Sequence, residues 1–262
     1  MLHSLDPRQL DPRQLDSRQA SSLPAHPSII DLRQFAREVT ADTAGQADGQ
    51  TDAFLANRYP LAIPACPVEI GAIRLEAGTG SVAELPADEF IILCDGCLTL
   101  DRQGQTLALA DSASAVLSAG AGFDWHCPEP TTLLYIRYLG KSAGEGNLIA
   151  IDEAATLEPS GTPLVELLIG PTPSCRNHTD YRSADEKFMC GTWDSTPYHR
   201  RAMESRQYEL MHLLAGAVTV VEQSGATRTY TKGDICLVEK GAVWSWESRE
   251  DVKKVYAIYR PA

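Results

Sequence analysis

Glutamates at a repeated five-residue spacing are the first residues that could do chemistry: Glu84 with Glu89, and Glu204 with Glu209. A carboxylate pair can hold a cationic or amine-bearing ligand, and it can transfer protons when one of its pKa values is raised. Side chains along a strand alternate between its faces. Residues five apart therefore share an interior only where a turn or bulge intervenes. The plainer alternative leaves Glu204 solvated in a loop and buries Glu209 alone against a hydrogen-bond donor. Tryptophans are concentrated in the C-terminal part, Trp193, Trp244 and Trp246, against Trp125 earlier in the chain. Trp244 and Trp246 share a face by alternation, forming either an indole wall for a small ligand or the filling of a core. His199 precedes Arg200-Arg201. With the two arginines it could recognise a carboxylate, which guanidinium binds bidentately, or the cluster balances the acidity of the surface.

Cys94-Asp95-Gly96-Cys97 is a CxxC, with His126 and Cys127 further along. Three thiols and an imidazole can bind zinc, but there is no second CxxC at zinc-ribbon spacing, and no helix start to lower a thiol pKa for redox work. Phosphate-loop, dinucleotide and nucleophile-elbow motifs are absent. His178 and Cys190 fit no pattern.

The elements that must position these residues are short and β-rich. Val218–Val221, Thr227–Tyr230 and Lys254–Tyr259 are β-branched or aromatic runs. Gln223-Ser224-Gly225 and Arg102-Gln103-Gly104 fall between such runs as hairpin turns. Ile29 to Val39 carries apolar residues at helical spacing and predicts one short helix. The N-terminal run LDPRQ-LDPRQ-LDSRQ has a five-residue period that suits neither helix nor strand, and Pro7 and Pro12 break helical bonding. Residues 1–27 are expected as a disordered tail, and Thr40 to Asp52 as a linker.

An internal repeat organises the remainder. A shift of about 120 residues places Gly71, Glu84, Glu89, Leu93, Gly96 and Thr99 on Gly191, Glu204, Glu209, Leu213, Gly216 and Thr219. With one residue inserted, Gly104, Gly120, Trp125, Tyr135 and Tyr138 meet Gly225, Gly241, Trp246, Tyr256 and Tyr259. Two β-domains of related architecture are therefore expected. Their bounds are 56–140 and 163–262, after an N-terminal stretch 1–55 and across a linker 141–162. The 23 Lys and Arg against 35 Asp and Glu, a net charge of −12, argue against nucleic acid as partner. No apolar run is long enough to span a bilayer and no secretory leader is expected, so membranes are not a partner either. Seven cysteines, an odd number, suit a reducing compartment, and a cytoplasmic protein is expected.

Glu209-x6-Gly216, followed by Gly233-Asp234-Ile235-Cys236-Leu237-Val238-Glu239-Lys240-Gly241, resembles the two motifs of the cupin superfamily. With Ser245-Trp246-Glu247 and Val252 to Tyr256, the resemblance narrows to ethanolamine-utilisation-type and ureidoglycine-aminohydrolase-type cupins. It implies an all-β fold of two jelly-roll barrels in tandem, a bicupin, after the short N-terminal helix that the spacing predicts, and a homodimer as assembly. It also implies that Glu209 points into its barrel and His212 away. Metal-binding cupins hold their ion with His-x-His-x4-Glu and a later histidine. Those positions are Ala202, Glu204, Glu209 and Trp244 here, and Val82, Glu84, Glu89 and Phe123 in the first copy. No histidine remains, so no cofactor is expected, although a hard divalent cation could tolerate two carboxylates, or a metal could recruit a ligand such as His199. The expected function is binding of a small amine, ureide or carboxylate in the C-terminal barrel. Glu209 and Glu204 are the key carboxylates, Trp193, Trp244 and Trp246 shape the pocket, and His199 and Arg201 contribute at its mouth. The alternative is a catabolic enzyme using Glu209 and Glu204 in acid–base chemistry.

Overall fold

A computed structural model describes residues 28–39, 52–110 and 112–261. The LDPRQ repeat, the tail and nearly all of the 40–52 linker lie outside the described residues. The N-terminal stretch gives β1 (Ile29–Asp31), α1 (Leu32–Glu38) and α2 (Ala53–Ala56). The first half then supplies β2 (Arg58–Pro60), β3 (Val68–Leu75), β4 (Gly78–Val82), β5 (Asp88–Asp95) and β6 (Leu98–Arg102). It continues with β7 (Gln105–Leu109), β8 (Ser114–Leu117), β9 (Phe123–Cys127) and β10 (Thr131–Tyr138). Between the halves are β11 (Leu148–Ala150) and β12 (Glu158–Pro159), so the stretch expected as linker contributes two short strands. The second half runs β13 (Cys175–Arg182), β14 (Phe188–Ser195), β15 (Tyr198–Glu204), β16 (Tyr208–Ala215) and β17 (Ala217–Val221). It ends with β18 (Thr227–Thr231), β19 (Ile235–Val238), β20 (Val243–Ser248) and β21 (Val252–Tyr259).

These strands form two sandwiches with one topology. The first has a large sheet β11-β8-β5-β10-β3-β2 facing a small sheet β4-β9-β6-β7. The second has β1-β19-β16-β21-β14-β13-β12 facing β15-β20-β17-β18. The repeated glycines sit in matching conformations. Gly96 and Gly216 have φ of +80° and +75°, and an added Cβ would lie 2.5 Å from Thr131 Oγ1 and 2.3 Å from the Asp251 carbonyl oxygen. Only glycine suits such a corner. Gly71 and Gly191 are constrained differently, because the neighbouring strand's carbonyl, from Tyr59 or His178, would meet a Cβ at 2.3 or 2.0 Å.

The two large sheets lie back to back. Ile70, Phe90, Ile92, Leu134 and Ile136 from the first form one buried cluster with Phe188, Leu210, Leu237, Val255 and Ala257 from the second. The stretch expected as one helix is split: Ile29–Asp31 is a strand paired with Val238, Leu237 and Cys236 of β19. Unpaired edge groups of β19 capture it before the helix begins. Asp31 then caps α1, accepting from Gln34 N at 2.8 Å. The arrangement is reciprocal: β1, which precedes the first sandwich, completes the second, and β11, which precedes the second, completes the first through β8. No helix among the described residues is long and apolar enough to cross a membrane.

Candidate functional site

Alternation along β16 sends Glu209, Met211 and Leu213 into the second sandwich and Leu210 and His212 toward the first. The equivalent face of β21 presents Lys254, Tyr256 and Ile258. Lys254, only 7% exposed, donates from Nζ to Glu209 Oε1 at 2.7 Å. The other carboxylate oxygen accepts from Gln207 Nε2 at 3.0 Å, and Arg260 Nε donates in turn to Gln207 Oε1 at 3.0 Å. The ammonium lies 4.8 Å from the Trp193 ring centroid and 5.4 Å from that of Trp246. Burying an ion pair costs desolvation on both sides; here the short contact and the indole faces offset it.

The opposite wall comes from β15 and β20. Tyr198 stacks on Trp246 at 5.4 Å with 10° between planes, and Trp193 and Trp244 each meet Trp246 edge-on at 6.0 Å. Arg200 is 6% exposed, its guanidinium 4.7 Å from the Trp244 centroid. Its Nη1 donates to two backbone carbonyls, Trp244 at 3.2 Å and Arg201 at 3.1 Å. Burial holds the Arg200 pKa below its ordinary value. No carboxylate among the described residues bonds to it. Burial likewise raises the Tyr198 hydroxyl and the Cys175 thiol. Between the walls is a cavity of about 1170 Å³. Its charged lining comprises six cations, Arg182, Arg200, Arg206, Lys240, Lys254 and Arg260, against two carboxylates, Glu204 and Glu209.

The structure brings Glu204, Glu209, Trp193, Trp244 and Trp246 to this one cavity. Glu204 is an exposed rim residue and Glu209 is largely buried; the turn at 205–207 lets residues five apart reach the same space. His199 and Arg201 do not line it. On β15, Tyr198 and Arg200 face inward, so His199 falls on the other face, paired across the ladder with Glu247. Arg201 is exposed at the irregularity between Arg200 and Met203. The arginine in the site is therefore Arg200. Lys254, Gln207 and Tyr198 were not anticipated. A lysine pair inside an apolar strand, Lys253-Lys254, is the signal that one of the two must face inward.

The first sandwich also buries carboxylates, Asp88 and Glu89, but its interior is filled by side chains. Glu89 accepts from Arg58 at 2.9 and 3.0 Å and from Arg137 Nε at 2.8 Å. Burial opposes its charge, yet the two guanidiniums hold its pKa below the ordinary value. Phe54 of α2 is fully buried against Phe123, and Trp125 and Leu100 fill the interior around them. Cys94 belongs to the packing between the large sheets, where burial pushes its thiol up to about 11. Among the described residues no three His, Cys, Asp or Glu side chains converge as a metal site. A metal at the position used by metal-binding cupins fits poorly here. Its one buried carboxylate, Glu209, already holds an ammonium 2.7 Å away, and Trp244 stands in place of an imidazole.

A sandwich of these two sheets, joined in this order, is the cupin jelly roll. Residues 182–256, most of the second barrel, match the EutQ-like cupin domain. No curated protein matches the chain. Among solved structures, the chain is similar to a protein with unknown function of the DUF861 family from Pseudomonas syringae pv. tomato. Identity is 26% and the TM-score 0.78, covering 89% of this chain and 100% of that one. It is also similar to a cupin 2 conserved barrel domain protein from Leptotrichia buccalis, at 10% identity and TM-score 0.57 over 89% and 96%. Protein Ylba from E. coli, of the DUF861 family, follows at 11% and 0.53 over 92% and 95%. These last two likenesses concern the fold alone.

Proposed function

We propose that the protein is a bicupin that binds a small carboxylate metabolite in its C-terminal barrel without a metal ion. The observation that carries this reading is Arg200, a guanidinium almost entirely buried, lining the cavity, stacked on Trp244 and bonded only to backbone carbonyls. A buried arginine with no carboxylate bonded to it is costly even with Glu209 nearby, and an incoming carboxylate supplies that partner with two parallel hydrogen bonds. The cationic lining of a cavity in an acidic chain supports the same sign of ligand. An amine has less support, because Glu209 is already held by Lys254. An acid–base enzyme has less as well, since both oxygens of Glu209 are engaged and Glu204 is exposed.

The test varies charge on a constant skeleton. Benzoate, benzamide and benzylamine are titrated into chelator-treated protein, with the cavity tryptophans as fluorescent reporters. Benzoate alone is expected to saturate, and R200Q to weaken it by about tenfold or more. Equal binding of the amide or the amine, a requirement for added metal, or an R200Q variant that binds like wild type would overturn the proposal.

A further inference from the structure

The first barrel holds, built from its own chain, a copy of what the second barrel lacks. In both halves the segment leading into the large sheet crosses the free edge of the small sheet at the same rung. In the second half, Leu168 bridges Arg200 on β15. In the first half, Asp52 lies beside Gly80 on β4, with Asp52 Oδ2 accepting from Ser81 N at 2.9 Å. Gly80 and Arg200 are counterparts, since Gly80 pairs with Trp125 and Arg200 with Trp246. The crossing segments then diverge. Asp52 turns its carboxylate inward, where Trp125 Nε1 donates to both oxygens at 3.0 and 3.1 Å. Two residues on, Phe54 inserts its ring edge-on against Phe123 at 5.2 Å, and Phe123 is the counterpart of Trp244.

A carboxylate and a phenyl ring thus occupy the first barrel from within. Gly80 is what admits the carboxylate, for a Cβ there would lie 2.4 Å from the Asp52 carboxylate and 2.5 Å from the Trp125 indole. In the second barrel the segment from Gly161 to Leu167 stays at the mouth, Leu164 and Val165 remain exposed, and the interior is open. Arg200 replaces Gly80 and carries a cation to the rung where Asp52 sits in the first barrel, while Trp244 and Trp246 replace Phe123 and Trp125 as the ring surface.

We infer that the second barrel takes an aromatic monocarboxylate, its carboxylate on Arg200 and its ring against Trp244 and Trp246. This rests on the carboxylate reading above and narrows it from charge to shape: the ligand supplies from outside the two groups that Asp52 and Phe54 supply in the first barrel. Pro163, Leu164 and Leu167 form the apolar side of the mouth under which the ring would lie.

The experiment holds the charge constant and varies the body. 3-Phenylpropionate, phenylacetate, propionate and succinate are titrated by calorimetry into the full-length protein, with tryptophan fluorescence in parallel. Burying a phenyl group predicts that 3-phenylpropionate binds about 30-fold more tightly than propionate. W244F, which keeps a ring, should retain most of that ratio, and W244L should reduce it severalfold. Propionate or succinate binding within threefold of 3-phenylpropionate, or W244L leaving the ratio unchanged, would overturn the aromatic assignment while leaving the anion site standing. If none of the four binds, both readings fail together. R200Q should weaken all the carboxylates alike, which separates the anion contact from the ring contact.

Discussion

Glu209 and Lys254 hold each other in place, and the consequence is a testable asymmetry. Their side chains are 13% and 9% exposed, so removing one leaves the other charged and poorly solvated. K254M is expected to destabilise the protein by about 3 kcal/mol, whereas E209L/K254M should recover most of that loss, because a buried pair replaced by apolar groups is close to neutral. Urea denaturation of the two single variants and the double variant closes the cycle. A double variant as unstable as the sum of the singles would mean that the two side chains act independently. Glu209 was legible in the sequence because its repeat partner and its distance from Gly216 match the cupin motif, whose resemblance implies an inward glutamate; alternation alone gives only the residues that share its face. Lys254 was not, and the arginine pair left open which of Arg200 and Arg201 turns inward. Lys254 sits beside Lys253 as Arg200 sits beside Arg201, and alternation says only that one of each pair faces inward. The phase of each strand comes from its neighbours across the ladder, and for β15 an irregularity after Arg200 shifts it within the strand.

At the scale of elements, β16 has a second face, and His212 is on it. Its ring is buried between the large sheets, Nδ1 has no partner, and burial together with the nearby Arg33 lowers its pKa to about 4. The unfolded chain binds a proton at about pH 6.5, where the folded one does not, so stability is full above that value and falls as the pH drops toward 4. The expected loss between pH 7 and pH 5 is about 2 kcal/mol. H212L should abolish that slope, and urea midpoints at the two pH values measure it; an unchanged slope would place the acid sensitivity elsewhere. The turn glycines offer a second comparison. Gly216 and Gly225 have φ of +75° and +84°, but only Gly216 has a backbone oxygen where its Cβ would go. G225A should cost about 1 kcal/mol, from conformation alone, and G216A clearly more. Differential scanning calorimetry ranks them, and equal losses would show that the contact with Asp251 relaxes freely. These corners were readable from the spacing of glycines. The strand Ile29–Asp31 was not, because its partner β19 is about 200 residues away and a local apolar period cannot show long-range pairing.

For the whole molecule, the exchanged strands and the shared sheet-to-sheet core join the two halves. The charge on the molecule raises a question of sign. The chain carries −12 overall, so a distant anion is repelled, yet six of the eight charged residues on the cavity are cationic, and four of these, Arg182, Arg206, Lys240 and Arg260, are exposed around its rim. At an ionic strength of 0.1 M charges more than about 10 Å apart are largely screened, so an approaching ligand feels the rim more than the far surface. If the rim governs encounter, added salt slows association of an anionic ligand; if the net charge governs, added salt speeds it. The expected result, by stopped-flow tryptophan fluorescence with 3-phenylpropionate, is a fall in association rate of about threefold between 0.02 and 0.5 M salt, with dissociation nearly unchanged. Replacing Arg206 and Arg260 by serine should flatten or invert that dependence while leaving Arg200 to hold the bound carboxylate. A rate that rises with salt in the unmodified protein would mean that the acidic surface, and not the ring of cations at the mouth, sets how the ligand arrives.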